Sequence, residues 1–302
     1  MLLTQKENEL RIAFLACPET LPGSPVRRAD AFEHDLQIGA LRAGLGPRGE
    51  VVELDWCAPL EELVRCEVAL LGTPWNYTEA KDEFLARLGE LEAAGVIVAN
   101  PLEVVRWNAD KLYLRELAER GAATIPTLWP EAPDAAEIEQ AFAGFGCDRV
   151  VVKRRVGAGA IGQECFMRGE VPKDWRMVQP AMIQPFLPAI QSEGELSFIF
   201  VAGSLSHALV KRAADGEYRI QSLYGGREVP LDPAPADRAA AEAVMAMLPF
   251  TQPPVYARID MVRMPTGQLA VIEAELIEPY LYPEQGPRLG AMLADALLAL
   301  AG

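Results

Sequence analysis

The stretches RIDMV at 258–262 and VIEAEL at 271–276 decide how the last third of this chain is read. Both are apolar enough for strands. Period-two alternation puts Glu273 and Glu275 on one face of the second strand, with Asp260 in the first. Three acids can then converge. Carboxylates among apolar strand residues are costly to bury unless something positive pairs with them, and a hard cation with oxygen ligands is one solution. The same spacing fits the solvent-facing side of an amphipathic hairpin equally well, so these residues alone leave both readings open.

Working outward, the two stretches belong to a strand-rich segment. ELSFIFV at 195–201, SHALVKR at 206–212 and YRIQ at 218–221 are each near strand length and are separated by Gly or Asp turns. Helices are expected at 236–247 and 290–300. Upstream, VVVKRRV at 150–156 reads as a strand leading into the turn GAGAIG at 157–162, and MIQPFL at 182–187 reads as a connector. Before these lie expected helices at 109–120 and 133–142, with a strand-like 124–128 between them; Gly121 occupies a helix C-cap position. The first part alternates strands at 11–17, 51–54, 68–71 and 96–98 with helices at 29–43, 59–65 and 81–94. Such alternation argues for an α/β unit with a parallel sheet covered on both faces, here residues 1–105.

Composition narrows the function. With 28 Lys plus Arg against 43 Asp plus Glu, the net charge of −15 opposes binding to nucleic acid. No apolar run approaches the roughly 20 residues of a membrane helix, and the N-terminus lacks the basic-then-apolar pattern of a secretory signal, so a cytoplasmic protein is expected. The five cysteines are widely spaced and read as reduced thiols, and the two histidines stand alone, against a zinc site. A homodimer is the expected assembly.

Gly157, Gly159 and Gly162 fit the dinucleotide pattern G-x-G-x-x-G, which would suggest a nicotinamide oxidoreductase. Context argues against it, because the residues that follow run into Gly169 and Pro172 and do not open a helix. A glycine loop whose amides close over phosphates, with Lys153 just before it, is the better functional reading; a plain hairpin stays open.

Taken in order, Asn108, Asp110 and Lys111, then Lys153, the connector IQPFL, Lys211, the run RIQSLYGGR at 219–227, Arg258 with Asp260, and Glu273 with Glu275 resemble the ATP-grasp superfamily. Within it they are most similar to the glutathione synthetase-like and RimK-like ligases. The resemblance implies a pre-ATP-grasp α/β domain at 1–105 and a two-lobed α+β ATP-grasp fold, with lobes at 106–187 and 188–302. It implies an ATP- and Mg2+-dependent ligase that joins a carboxylate and an amine through an acyl phosphate.

Residue by residue, the resemblance places ATP phosphates at Lys111, Lys153 and Lys211 with Gly157 and Gly159, and adenine at Gln184, Phe186 and Leu187. The ribose falls to Glu193 or Glu195, with Glu193 preferred. Arg219, Gly225, Gly226 and Arg227 would form the loop over the γ-phosphate and substrate. Asp260, Glu273 and Glu275 would hold two magnesium ions, and Arg258 would stabilise the acyl phosphate and oxyanion. The family pattern at the last metal position is Glu-x-Asn, whereas this chain has Glu-Ala-Glu, which motivates an alternative: a catalytically inactive nucleotide-binding regulatory or scaffold protein. TPWNY at 73–77, WNADK at 107–111 and EAELIEPYLYP at 273–283 look most like the ring-closing subgroup of D-cycloserine synthetases. That likeness nominates Trp75, Asn76, Tyr77 and Glu278 for an amino-acid or small-peptide substrate.

Overall fold

The structure is a computed structural model that describes residues 10–157, 159, 162–213 and 225–302. The first unit comprises β1 (Leu10–Ala16), α1 (Phe32–Leu45), β2 (Gly49–Asp55), α2 (Leu60–Leu63), β3 (Val68–Thr73), α3 (Lys81–Ala93) and β4 (Ile97–Ala99). Its strands lie in the order β2-β1-β3-β4 and are all parallel, as the alternation of strands and helices predicts. Successive residues of β1 feed opposite cores. Ile12 and Phe14 pack with Ile38, Leu41 and Leu45 of α1, whereas Ala13 and Leu15 pack with Phe84, Leu88 and Leu91 of α3. A strand buried on both faces requires such an unbroken apolar run.

Next come α4 (Leu102–Asn108), which the sequence did not predict, and α5 (Tyr113–Glu119), the helix expected over 109–120, which starts four residues later. The break is held by hydrogen bonds: Asp110 Oδ1 accepts from the Leu112 amide at 3.0 Å, and the Lys111 amide donates to the Arg155 carbonyl at 3.0 Å. The strand-like 124–128 reduces to isolated bridges, Thr124 to Val271 and Leu128 to Ile183. Helix α6 (Ala135–Phe145) begins with a capping box between Asp134 and Glu137 and ends at Gly146 in the left-handed conformation. It covers the antiparallel sheet β6-β5-β7, built from β5 (Arg149–Arg154), β6 (Glu164–Met167) and β7 (Ala181–Pro185).

After α7 (Ala189–Ser192) the chain forms β8 (Glu195–Val201), β9 (Ser204–Arg212), β10 (Arg227–Leu231), α8 (Pro235–Ala246), β11 (Tyr256–Arg263), β12 (Leu269–Glu275) and α9 (Leu289–Ala301). The strands make one antiparallel sheet in the order β10-β9-β8-β11-β12. The strand expected at 218–221 lies outside the described residues.

Two features join this sheet to the first unit. Helix α9, expected in the second lobe, packs on α1 with Leu289, Leu293 and Leu297 in the core of Ile38, Leu41 and Leu45. The backbones nearly touch: a Cβ on Gly44 would lie 2.1 Å from the Gly290 carbonyl oxygen, and one on Gly290 would lie 2.0 Å from that of Ala40. The second feature is Asn100, fully buried at the end of β4. Its amide donates to the Tyr256 and Leu276 carbonyls at 3.0 and 2.8 Å and accepts from the Val255 amide at 2.6 Å.

Strand β12 is the sheet's edge, and an edge exposes unpaired backbone groups unless something takes them. Asn108 donates to the Ala274 carbonyl at 2.7 Å and accepts from the Leu276 amide at 2.8 Å, while the Tyr113 hydroxyl accepts from the Ala274 amide at 3.0 Å. The strand that carries Glu273 and Glu275 is thereby clamped to α4 and α5.

Candidate active site

A cleft of about 260 Å³ opens between the three sheets. One wall is the outer end of β11 and β12, whose register sets Asp260 opposite Glu273 and Arg258 opposite Glu275. All four line the cleft, with Lys111 from the break between α4 and α5, Lys153 from β5, and Lys211 and Glu195 from β9 and β8. The hydrophobic cores under these strands fix their side-chain faces. The polar groups can then point only into the cleft.

Asp260 is 2 % exposed and is held from three sides. Ser197 Oγ donates to it at 2.5 Å, Lys211 Nζ at 3.0 Å, and Arg258 Nε at 3.0 Å. Burial alone would raise its pKa, but Arg258 and then Lys211 overcome that and hold the carboxyl at about 2. Lys211 also meets Glu195 at 2.5 Å. Glu195 is nonetheless pushed up to about 7, chiefly by burial against the pull of Lys211.

Lys111 Nζ meets Glu273 at 2.9 Å and donates to the Gly157 carbonyl at 2.6 Å, bringing the glycine turn to the acidic wall. Glu273 stays below the usual carboxylate range despite burial because Lys111 and Lys153 face it. Lys153 makes no ion pair among the described residues, and burial lowers its pKa. Arg258 donates through Nη1 to the Tyr280 carbonyl at 3.0 Å and through Nη2 to Glu275. Burial pushes Glu275 up to about 7 against the attraction of Arg258. Glu278 rises to about 8, first through burial and then through the nearby Glu275.

Among the described residues no three His, Cys, Asp or Glu side chains form a ready-made metal shell. Arg258 donates to Glu275 as well as to Asp260, and Asp260 and Glu273 face each other across the strands. Two carboxylates suit Mg2+, which prefers one or two of them together with phosphate oxygens and water over an all-protein cage. The donor set thus fits the ion that the sequence implies.

The N-terminal domain of D-cycloserine synthetase DcsG matches residues 12–100 of this chain. The cycloserine biosynthesis protein DcsG of Streptomyces lavendulae is 29% identical over 262 residues, which cover 80% of this chain and 87% of that one. A crystal structure of D-cycloserine synthetase DcsG superposes with a TM-score of 0.77 at 25% identity, covering 97% of this chain and 100% of that one. The chain is thus similar over most of its length to a D-cycloserine synthetase, and its fold is that of the ATP-grasp ligases. A D-alanine–D-alanine ligase from Bacillus anthracis shares the ATP-grasp fold at a TM-score of 0.66, with 15% identity and 97% of each chain covered. These likenesses support an ATP-dependent ligase that forms a C–N bond.

Most of the ATP-grasp positions expected from the sequence do come together. Lys111, Lys153, Lys211, Gly157, Gly159, Gln184, Phe186, Leu187, Arg258 and Glu278 line the cleft with the acids. Two side-chain contacts hold the connector: Gln184 donates to Thr127 at 3.0 Å, and the Arg149 guanidinium lies 3.7 Å from the centre of the Phe186 ring. Trp75 and Tyr77 also reach the cleft, but Asn76 does not, because its side chain accepts from Trp56 Nε1 at 2.7 Å. Glu193 is likewise turned away. It accepts two hydrogen bonds from Arg263 Nε, both at 2.9 Å, and Glu195 is the acid that reaches the cleft. Gly225, Gly226 and Arg227 sit at the start of β10 and do not line it; Arg219 lies outside the described residues.

The sequence reading missed a layer from the first unit. Arg28, Asp30 and Glu33, beyond the loop that follows β1, join Trp75, Tyr280 and Tyr282 at the mouth. Arg28 is held by Asp30 and lies 5.0 Å above the Trp75 ring. A signal was available: these residues follow the carboxyl end of β1 as Trp75 follows β3, and α/β sheets bind ligands beyond strand carboxyl ends.

Proposed function

We propose that this ligase activates a substrate carboxylate as an acyl phosphate and that an amine of the same small amino-acid-like molecule then closes a ring. The observation that carries the reading is a set of four cations, Lys111, Lys153, Lys211 and Arg258, gathered around Asp260 and Glu273 in a cleft sized for a nucleotide and a small substrate. The named activity of DcsG, a D-cycloserine synthetase, supports ring closure.

In this mechanism Lys111, Lys153 and Lys211 cradle the phosphates, and the backbone of the 184–187 connector holds adenine. Asp260 and Glu273 would hold magnesium, which when bound neutralises γ-phosphate charge; we assign two ions. The substrate carboxylate attacks the γ-phosphorus and ADP leaves, giving the acyl phosphate. Arg258 donates to the oxygens that gain charge as the amine attacks, and phosphate departs. Glu278, Tyr77 and Trp75 face the amino-acid part, and a carboxylate at Glu278 pairs with its ammonium group. A homodimer is the assembly we assign.

The test is ADP release with ATP, Mg2+ and a panel of amino acids bearing a side-chain amine or aminooxy group. A productive substrate should give a product lighter by one water, with no incorporation of added amines. Incorporation of an added amine would mean that two molecules are joined. ATP binding without ADP release across the panel would favour the inactive alternative. Two Mn2+ bound per chain with a non-hydrolysable ATP analogue checks the ion count.

A further inference from the structure

We propose that the Tyr282 ring is the wall that keeps water from the acyl phosphate, so that the amine and not water resolves it. This rests on the ligase reading above and deepens it.

The first observation is the backbone. Among the described residues only Ala202 and Tyr282 take a positive φ without being glycine, and Tyr282, at 51°, has by far the larger side chain. A bulky residue in the left-handed region is costly, and such strain persists where the surroundings over-determine it and the position is used. Here the surroundings do so. The Tyr282 carbonyl accepts from the Gln285 and Gly286 amides, both at 3.1 Å, and the adjacent Leu281 amide donates to Gln37 Oε1 at 3.0 Å. Gly286 lies directly on the His207 ring, since a Cβ there would come within 2.2 Å of Nδ1. The strap at 279–286 is thus anchored to α1 on one side and to β9 on the other.

Where the ring goes is the second observation. Tyr282 is 7 % exposed and belongs to the core that α9 closes, yet it also lines the cleft. Its ring centre lies 5.7 Å from the Arg258 guanidinium carbon and 4.5 Å from the centre of the Tyr280 ring. From the same strap the Tyr280 carbonyl accepts from Arg258 Nη1 at 3.0 Å. The group assigned to the developing oxyanion is therefore backed by an aromatic face, which attracts a cation without giving water a foothold. The Tyr282 hydroxyl makes no hydrogen bond among the described residues, so the role falls to the ring.

An acyl phosphate has two fates. When the amine attacks the carbonyl carbon, the bond from that carbon to the phosphate oxygen breaks, phosphate leaves and the amide forms as the amine loses its proton. When water attacks the same carbon, the same bond breaks, the carboxylate returns with one oxygen from water, and ATP has been hydrolysed with no amide made. An apolar wall beside the reacting carbon suppresses the second route.

The full chain is given ATP, Mg2+ and the panel amino acid that releases most ADP, in water carrying heavy oxygen. The wild type should release ADP and amide in equal amounts, with little label in the recovered carboxylate. Tyr282→Gly and Tyr282→Asn suit the left-handed backbone and remove the ring. Each should raise ADP per amide about five-fold or more, with heavy oxygen entering the carboxylate, while Tyr282→Phe stays within about two-fold of wild type.

Equal amounts of ADP and amide in the ring-less variants overturn the proposal even where kcat falls, because a merely structural role slows both alike. Should one of the two fail to fold, the other decides. Uncoupled hydrolysis in Tyr282→Phe as large as in Tyr282→Gly also overturns it, since the hydroxyl and not the ring would then be responsible. If the wild type releases no ADP with any amino acid, the ligase reading fails and takes this role with it. ADP release by the wild type with an unchanged ratio in the variants strikes the role of Tyr282 alone.

Discussion

Asp260 and Glu273 face one another across β11 and β12, and each is balanced in part by a lysine. Asp260→Asn and Glu273→Gln should therefore cut ADP release by about 100-fold or more, the scale of losing a transition-state contact. Unchanged turnover in folded protein would remove them from the site. Arg258→Met should lower kcat more than ATP affinity, since its donors serve charge that develops late; equal losses in both would argue for ground-state binding. A pH effect belongs at this scale too. Burial pushes His207 down to about 4. Its neutral form is the folded form, so its contribution to stability is present above the unfolded value of about 6.5 and is lost as pH falls from there towards about 4. Urea midpoints should drop between pH 7 and pH 5, and the drop should shrink in His207→Gln. Much at this scale was legible beforehand. Asp260, Glu273, Lys111 and Lys153 were named by their order along the chain, through the family resemblance, since strand period alone left a solvent-facing hairpin equally open. Glu193 and Asn76 were misplaced because their partners, Arg263 and Trp56, are distant in sequence and sit next to them only after folding.

Among the elements, the parallel sheet was readable because its strands are apolar on both faces and its helices are regularly spaced. The boundary between α4 and α5 was not. Nothing in the local pattern at 102–120 shows that Asp110 would cap the Leu112 amide or that Arg155 would take the Lys111 amide, and that break is what turns Lys111 into the cleft. The contact of α9 with α1 was equally hidden, since it depends on two glycines meeting across the molecule. Gly290→Ala places a methyl group about where the Ala40 carbonyl oxygen sits, 2.0 Å away. The helices must separate, and a loss of roughly 1–3 kcal/mol in urea unfolding is expected, as for an overpacked core. Stability equal to wild type would mean that the crossing is looser than described.

Across the whole molecule, the cleft depends on how the first unit is fixed to the antiparallel sheet. Asn100 sits at that junction with three hydrogen bonds and no access to water. Asn100→Ala strands two carbonyls and an amide in the interior, and each unsatisfied group costs about 1–3 kcal/mol. The variant should unfold at markedly lower urea and bind substrate more weakly, because Trp75 and Arg28 approach the acids from the first unit's side; a wild-type midpoint would contradict this. Helix α9 bears on how the chain comes to be folded at all. A chain emerging from the ribosome delivers β1 to β4 long before α9, so Ile38, Leu41 and Leu45 meet only part of their final core early on. The first unit's outer face stays sticky until α9 is made, and synthesis, rather than local sequence, sets the moment at which that layer closes.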